Sequence, residues 1–422
     1  MNEIQLRYGD SSFKFEFDQN RFEVLDVDIE ERPLTDIEVG GAFDAPIGGP
    51  HFDDAINQSD SVLIVVSDAT RATASAQIVN LFVRRLIQGG VSPANVAIIF
   101  ATGIHRRVTQ LEKAELLTPF ILQRIRTIDH DAHDHEQLAQ LGATMRGIPV
   151  ILNKALHEFS RIVIISGVNF HYFAGFSGGR KSICPGLAAA ETIEATHLLA
   201  LDFAKGGRRS GVGPGLLDGN AVNEECEEIA ARVAPAFTIN TIVGSDKRAI
   251  AVYCGDWRQA HRAACGRYLQ LRSKQLTDKR DLVIVSCGGY PHDLNLIQAH
   301  KALEMASTAC KDGGTIILLA ECRDGLGRSN FMQWFDSPDS RSLEMRLKDH
   351  YEVNGQTAWS LMLKTERFKV HLISELTQQE VSSMKMEVSK SLTDSLKRVG
   401  TFETGYLMPR GAAILPRIST KP

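Results

Sequence analysis

Five short stretches of the chain are apolar at nearly every position: SVLIVVS (61–67), NVAIIFATG (95–103), RIVIISG (161–167), DLVIVSCGG (281–289) and GTIILLAEC (314–322). Each is followed by a turn and then by a segment whose apolar residues recur at helical spacing. An unbroken apolar run, unlike an alternating one, marks a strand covered on both faces, the habit of parallel sheets with helices on either side. The pattern predicts an α/β protein of two domains, each a mostly parallel sheet flanked by helices. Ligands in such folds bind beyond the carboxyl ends of the strands. SDATR, ATGIHR, SGVNFHYFAGFSGGRK and SCGGYPHD all fall there, so chemically capable residues are delivered repeatedly to a sheet edge.

The pattern changes character at two places. The opening segment MNEIQLRYGDSSFKFEF alternates as a strand does, and CGRYLQLRSKQLTDKR (265–280) reads as a helix running into a charged, exposed connector before a fresh β run at Asp281. A domain division near residue 275 follows, giving an N-terminal α/β domain (1–275) and a C-terminal one (276–422), both of ordinary size. The tail TGYLMPRGAAILPRIST is interrupted by Pro and Gly, which argues against a closing helix. No solenoid period or low-complexity segment is visible.

Composition narrows the classes of function. At 422 residues and 43% apolar content, the chain has enough to bury in each of two cores. A net charge of -4, with Lys and Arg scattered among acids, provides no basic field for nucleic acid. No apolar run approaches the ~18 residues of a membrane span, and the first residues lack the layout of a signal peptide, so a cytoplasmic protein is expected. Seven cysteines, widely spread and without a CxxC pair, indicate neither a disulfide framework nor a zinc knuckle.

The candidate chemistry sits in the turns. Asp68 and Arg71 close a buried strand, where an Arg can grip a carboxylate through two parallel bonds; the blander reading is an N-cap and a surface Arg opening a helix. His105, after a strand and a Thr-Gly turn, is placed as a proton shuttle. In FHYFAGFSGGRKS (170–182), His171, Ser177, Gly178, Gly179 and Lys181 share one loop. That loop approximates a phosphate-binding P-loop but has Arg180 where the motif requires glycine. A generic turn with solvated Arg180 and Lys181 would explain the glycines but not the histidine. His197 lies in a helical segment, able as a neutral imidazole to ligate a borderline metal or simply to fill a core. The cluster DHDAHDHEQ (129–137) matches no metal spacing and reads as a solvated connector. Gln298 and Lys301, three apart near the start of a helix, present a carboxylate- or phosphate-binding pair.

Taken together, DATR, GIHR, HYFAGFSGGRKSICPG, THLLALD and GGYPHDLNLIQAHKAL resemble the nickel-pincer lactate racemase family over nearly the whole chain. The resemblance implies an active site in the cleft between the domains. It implies a pyridinium-3,5-bisthiocarboxylic acid mononucleotide tethered to Lys181, with nickel ligated by His197 and with Asp68, Ser177, Gly178 and Gly179 beside the cofactor. His105 and His171 become the acid/base pair, and Arg71, Gln298, Lys301 and Trp359 the substrate contacts. The implied reaction racemises a 2-hydroxy acid: hydride moves to the cofactor and back to the opposite face of a 2-keto acid, which avoids a carbanion and calls for a proton acceptor on each side. Cofactor-maturation enzymes are implied as partners, and an oligomer is left open.

Two departures bear on the substrate. Ile297 precedes Gln298 where lactate racemases carry an aromatic residue, and Thr73 stands where relatives commonly have Pro. Both point to a larger or differently shaped acid than lactate, which stays one candidate among 2-hydroxy acids. The competing readings are a nucleotide-dependent phosphotransferase using the Gly-rich loop and a non-catalytic cofactor-binding protein.

Overall fold

A computed structural model of the chain describes residues 2–27 and 31–419. The alternating N-terminal segment folds as an antiparallel hairpin of β1 (Asn2–Tyr8) and β2 (Ser11–Phe17), followed by the short β3 (Phe22–Val24). Its inward positions Leu6, Phe17 and Phe22 pack into a core with Leu282, Ile284 and Leu407. The first residues therefore belong to the later part of the chain. Two compact units result: an N-terminal unit of Glu30–Ala200 and Arg209–Leu269, and a C-terminal unit of Met1–Ile29, Leu201–Arg208 and Gln270–Pro422. The expected division at 275 differs from this in placing residues 1–29, 201–208 and 270–275 in the N-terminal domain. Alternation showed that a strand was there, but not which sheet it would cover.

In the N-terminal unit, β4 (Val62–Ser67), β5 (Val96–Ala101), β6 (Arg126–Asp129), β7 (Arg161–Gly167), β8 (Phe237–Val243) and β9 (Ala249–Gly255) form a sheet in the order β9-β8-β7-β4-β5-β6. Every pairing is parallel except β8 with β9. Val62 to Val66 are fully buried, as the unbroken apolar run predicts. Each such side chain contributes about 1.5–3 kcal/mol by leaving water. Helices α1 (Ser75–Gln88), α2 (Ala190–Leu198), α3 (Ala221–Val233) and α4 (Gln259–Arg272) complete the parts used below. The chain runs outward from β4 through β5 to β6, then returns to place β7 on the other side of β4. The loops leaving β4 and β7 consequently diverge, opening a crevice at their carboxyl ends.

The C-terminal unit repeats this logic with β10 (Arg280–Ser286), β11 (Cys310–Leu319), β12 (Lys369–Ile373), β13 (Glu387–Val388) and β14 (Gly405–Met408). The sheet order is β13-β12-β11-β10-β14-β3, parallel throughout. Helices α5 (Leu296–Ala309) and α6 (Val353–Arg367) bury a polar knot between them: Arg208 holds Glu304 through bonds of 2.5 and 3.0 Å, and Lys364 also pairs with Glu304. The expected connector before Asp281 is partly a strand, since Ser273–Leu276 pairs in parallel with Leu415–Ile418 of the tail. All seven cysteines are buried and unbridged. Among the described residues no helix is long and apolar enough to cross a membrane.

Candidate active site

The loops at the β4/β7 crevice bring together most of the residues singled out from sequence. Asp68 leaves β4 nearly buried, so its carboxylate needs partners. Thr70 donates to its Oδ1 from both backbone and hydroxyl, at 3.0 and 2.5 Å, and His105, from the loop after β5, lies 2.8 Å from Oδ2 through Nδ1. Burial pushes the Asp68 carboxyl up, but His105, Thr70 and Arg71 outweigh it and the net shift is downward. An ionised Asp68 holds a ring proton of His105 on Nδ1, so the neutral ring presents Nε2 as an acceptor. The ring is 41% exposed, so that nitrogen is accessible. Asp68 is not the cap of α1, which begins only at Ser75; Thr73 is buried, with its hydroxyl bonded to that of Ser75.

His171 is set the opposite way. Its Nδ1 accepts backbone N–H groups of Ala174 and Phe173 at 3.2 and 3.5 Å, so the ring proton belongs on Nε2. Nε2 lies 2.9 Å from Lys181 Nζ. A protonated imidazole nitrogen can only donate, so the lysine must accept, and an amine accepts only when neutral. Burial drives the Lys181 amine down to about 7; the guanidiniums of Arg71 and Arg180 add to that shift, while the thiols of Cys226 and Cys184 oppose it. Geometry and burial both work against a charged amine.

His197 closes the cluster from the last turn of α2. Its ring meets Phe173 edge to face at 5.0 Å. Burial, then the charges of Lys181 and His105, pull it down to about 3, so it is a neutral imidazole across physiological pH. Such a group can offer a lone pair to a metal.

The loop between His171 and Lys181 is held by residues whose importance the sequence did not reveal. Arg180 is not solvated but buried, donating from Nη1 to the Gly178 carbonyl at 3.2 Å and from Nη2 to that of Ala174 at 2.8 Å. It therefore ties the loop's two halves together. Buried Asn220 caps α3 through Oδ1 and donates through Nδ2 to the Phe173 and Leu216 carbonyls. His261 of α4 donates to the Ser177 carbonyl at 2.9 Å. The signal for Asn220 was its place after a glycine at a helix start; Arg180 and His261 gave none, because their partners are set by the fold.

Other expectations change in detail. The Ser177 hydroxyl donates to Gly167 and accepts from Asn169, and the Gly179 N–H donates to Ser166 Oγ at 2.9 Å, so these groups are committed inside the loop and not to a phosphate. The glycines answer to space: Gly179 has φ +52, and a Cβ there would meet His261 at 2.7 Å. Arg71 is half-buried beside Asp68. In DHDAHDHEQ, His130 is a buried structural residue between Asn153 and the Ala188 carbonyl, whereas His133 and His135 are exposed.

Gln298, Lys301 and Trp359 belong to the C-terminal unit. The first two join through Lys301 Nζ and Gln298 Oε1 at 2.7 Å near the start of α5, and Lys301 is exposed. Trp359 is buried on α6 with its indole N–H unpartnered. Ile297 is half-buried.

The chain matches the lactate racemase N-terminal domain family over residues 8–207 and the lactate racemase C-terminal domain family over residues 276–405. A lactate racemase of Thermoanaerobacterium thermosaccharolyticum is 30% identical over 417 residues, covering 94% of each chain. One of Lactiplantibacillus plantarum is 30% identical over 365 residues, covering 85% of this chain and 84% of its own. The solved lactate racemase apoprotein of T. thermosaccharolyticum superposes with a TM-score of 0.90 at 28% identity, over 99% of this chain and all of that one. A crystal structure of a Thermotoga maritima protein shares the fold at a TM-score of 0.68 and 18% identity, over 93% of this chain and all of that one.

Proposed function

This chain belongs to the lactate racemase family and is an isomerase, and from that premise we propose that it interconverts the enantiomers of a small 2-hydroxy acid with a lysine-tethered nickel pincer nucleotide. The observation that carries the mechanism is the opposite hydrogen bonding of two histidine Nδ1 atoms at one sheet edge. His105 meets the Asp68 carboxylate there, which in the neutral ring leaves Nε2 free to accept; His171 meets backbone N–H groups, which place the ring proton on Nε2. Racemisation through a planar intermediate needs both states at once. His105 removes the hydroxyl proton of one enantiomer, and His171 returns a proton to oxygen from the other side. The next turnover, in reverse, exchanges their roles. Arg71 neutralises the carboxylate, and Gln298, Lys301 and Trp359 are the proposed further substrate contacts.

The residues present fit the cofactor. Lys181 supplies a neutral amine for a covalent bond, His197 a neutral imidazole for nickel, and Asp68 a fixed negative charge nearby. Among the described residues no group of three or more His, Cys, Asp and Glu could hold a metal, so a lone His197 suits an ion whose other ligands come with the cofactor. When bound, the group supplies a hydride acceptor and donor at the substrate carbon. Phosphotransfer is disfavoured by the Gly179 N–H being occupied.

Protein produced with the cofactor's biosynthetic enzymes, given single enantiomers of a panel of 2-hydroxy acids including lactate, is expected to bring at least one to the racemic mixture by chiral chromatography. Inversion of none would overturn the proposal and favour a cofactor-binding protein without turnover.

A further inference from the structure

We propose that in the cofactor-free chain Lys181 is an imine-forming lysine that captures 2-oxo acids. An amine adds to a carbonyl only as the free base, which for an ordinary lysine is a minor species at neutral pH. Here the hydrogen bond from His171 and the burial of the amine favour it. The Nδ1 of His171 is taken by backbone donors, its Nε2–H points at Nζ, and Nζ accepts. The amine also sits 5.7 Å from the centre of the Phe173 ring, whose face favours charge, so the free base rests on the His171 hydrogen bond and on burial; Lys181 as a whole residue is half-buried. Desolvation next to other cations is how lysines are prepared for Schiff-base chemistry.

The ligand class rests on the racemase reading: a 2-oxo acid has the same carboxylate and carbon skeleton as a 2-hydroxy acid, and Arg71 is the group that would hold that carboxylate. In the covalent step the Nζ lone pair attacks the C2 carbonyl carbon. The carbonyl oxygen takes the proton of His171 Nε2, and His171 recovers one from the nitrogen. His171 then protonates that oxygen a second time and recovers the remaining N–H proton, so the oxygen leaves as water and a C=N bond remains. Nothing is oxidised or reduced. The same nitrogen would carry the cofactor, so a captured 2-oxo acid blocks loading until it is hydrolysed. Six groups set the charge around Nζ: His171 and Cys184 from the neighbouring turns, Arg71 from the β4 loop, Arg180 beside it, His197 of α2 and Cys226 of α3.

The test uses the full chain made without cofactor enzymes and without added nickel, incubated with pyruvate and sodium cyanoborohydride, which reduces the imine to a stable secondary amine. Intact-mass and peptide analysis should find one adduct, on Lys181. Pyruvate should label at least tenfold faster than acetone, which lacks the carboxylate, and Arg71→Gln should remove most of that preference. Labelling spread over surface lysines, or equal rates for the two ketones, would overturn the inference. The assay needs no nickel, so the two proposals fail separately. An unlabelled Lys181 in a protein that racemises when loaded sinks only the imine. A labelled Lys181 in a protein that inverts no acid sinks only the racemase reading.

Discussion

At each of the two site histidines, the atom that meets Nδ1 decides what Nε2 can do. A carboxylate at Nδ1 makes His105 a base, and backbone N–H groups at Nδ1 make His171 an acid. Asp68→Asn exchanges an obligate acceptor for an amide that can present N–H and stabilise the wrong tautomer of His105. It is expected to lower kcat of the loaded enzyme by about a hundredfold or more while leaving the melting temperature within a few degrees. Initial rates with each enantiomer check this, and an unchanged kcat would remove Asp68 from the mechanism. Lys181 gives a prediction in stability. Its amine is held at about 7, below the unfolded value of about 10.5. Between those values the unfolded chain binds the extra proton, so stability rises with pH from about 7 towards 10, and the penalty is complete below 7. Lys181→Met should therefore be more stable than the cofactor-free parent near pH 6, by roughly 1–3 kcal/mol, with the gap closing towards pH 10. Urea melts at three pH values measure it.

At the scale of elements, the site loop is an interlock and not a free turn. The segment from His171 to Lys181 is closed internally by Arg180, braced from α4 by His261, and joined by Asn220 to the glycine-rich segment before α3. The contact there is so close that a Cβ on Gly175, at φ +78, would fall 1.9 Å from the Leu216 carbonyl oxygen. Gly175→Ala must push two backbones apart as well as strain its own. It is expected to cost about 2–4 kcal/mol in denaturant unfolding and to slow racemisation, because the His171 and Lys181 positions ride on that loop. A stable, fully active Gly175→Ala protein would show that the interlock does not set the site.

For the whole molecule, each unit has its own core, and the C-terminal one adds the buried knot of Glu304, Arg208, Lys364, Ser360 and His300. Burial pushes the Glu304 carboxyl up, but the two cations outweigh that and hold it ionised. Lys364 is lowered to about 8, by burial first and Arg208 next, against the pull of Glu304. Glu304→Gln leaves two cations facing a neutral group and is expected to cost about 3–5 kcal/mol. Calorimetry should show the loss, and a change below 1 kcal/mol would mean that water reaches the knot.

The five apolar runs, read alone, determined five central strands, their parallel pairing and the sheet ends where chemistry would sit, because covering both faces of a strand is a local demand that every residue of the run must meet. The same reading picked out Asp68, Arg71, His105, His171 and Lys181, since each follows such a run, while His197 took its role from the family resemblance. It could not assign the N-terminal hairpin to the C-terminal unit, nor find Arg180, His261 and Asn220 as the frame of the loop. Above all, it could not distinguish the two histidines or discharge the lysine. Those outcomes depend on which donor or acceptor lies within hydrogen-bond reach and how much water remains, and partners such as Asp68 and His105, 37 residues apart in the chain, meet only when the sheet brings its loops together.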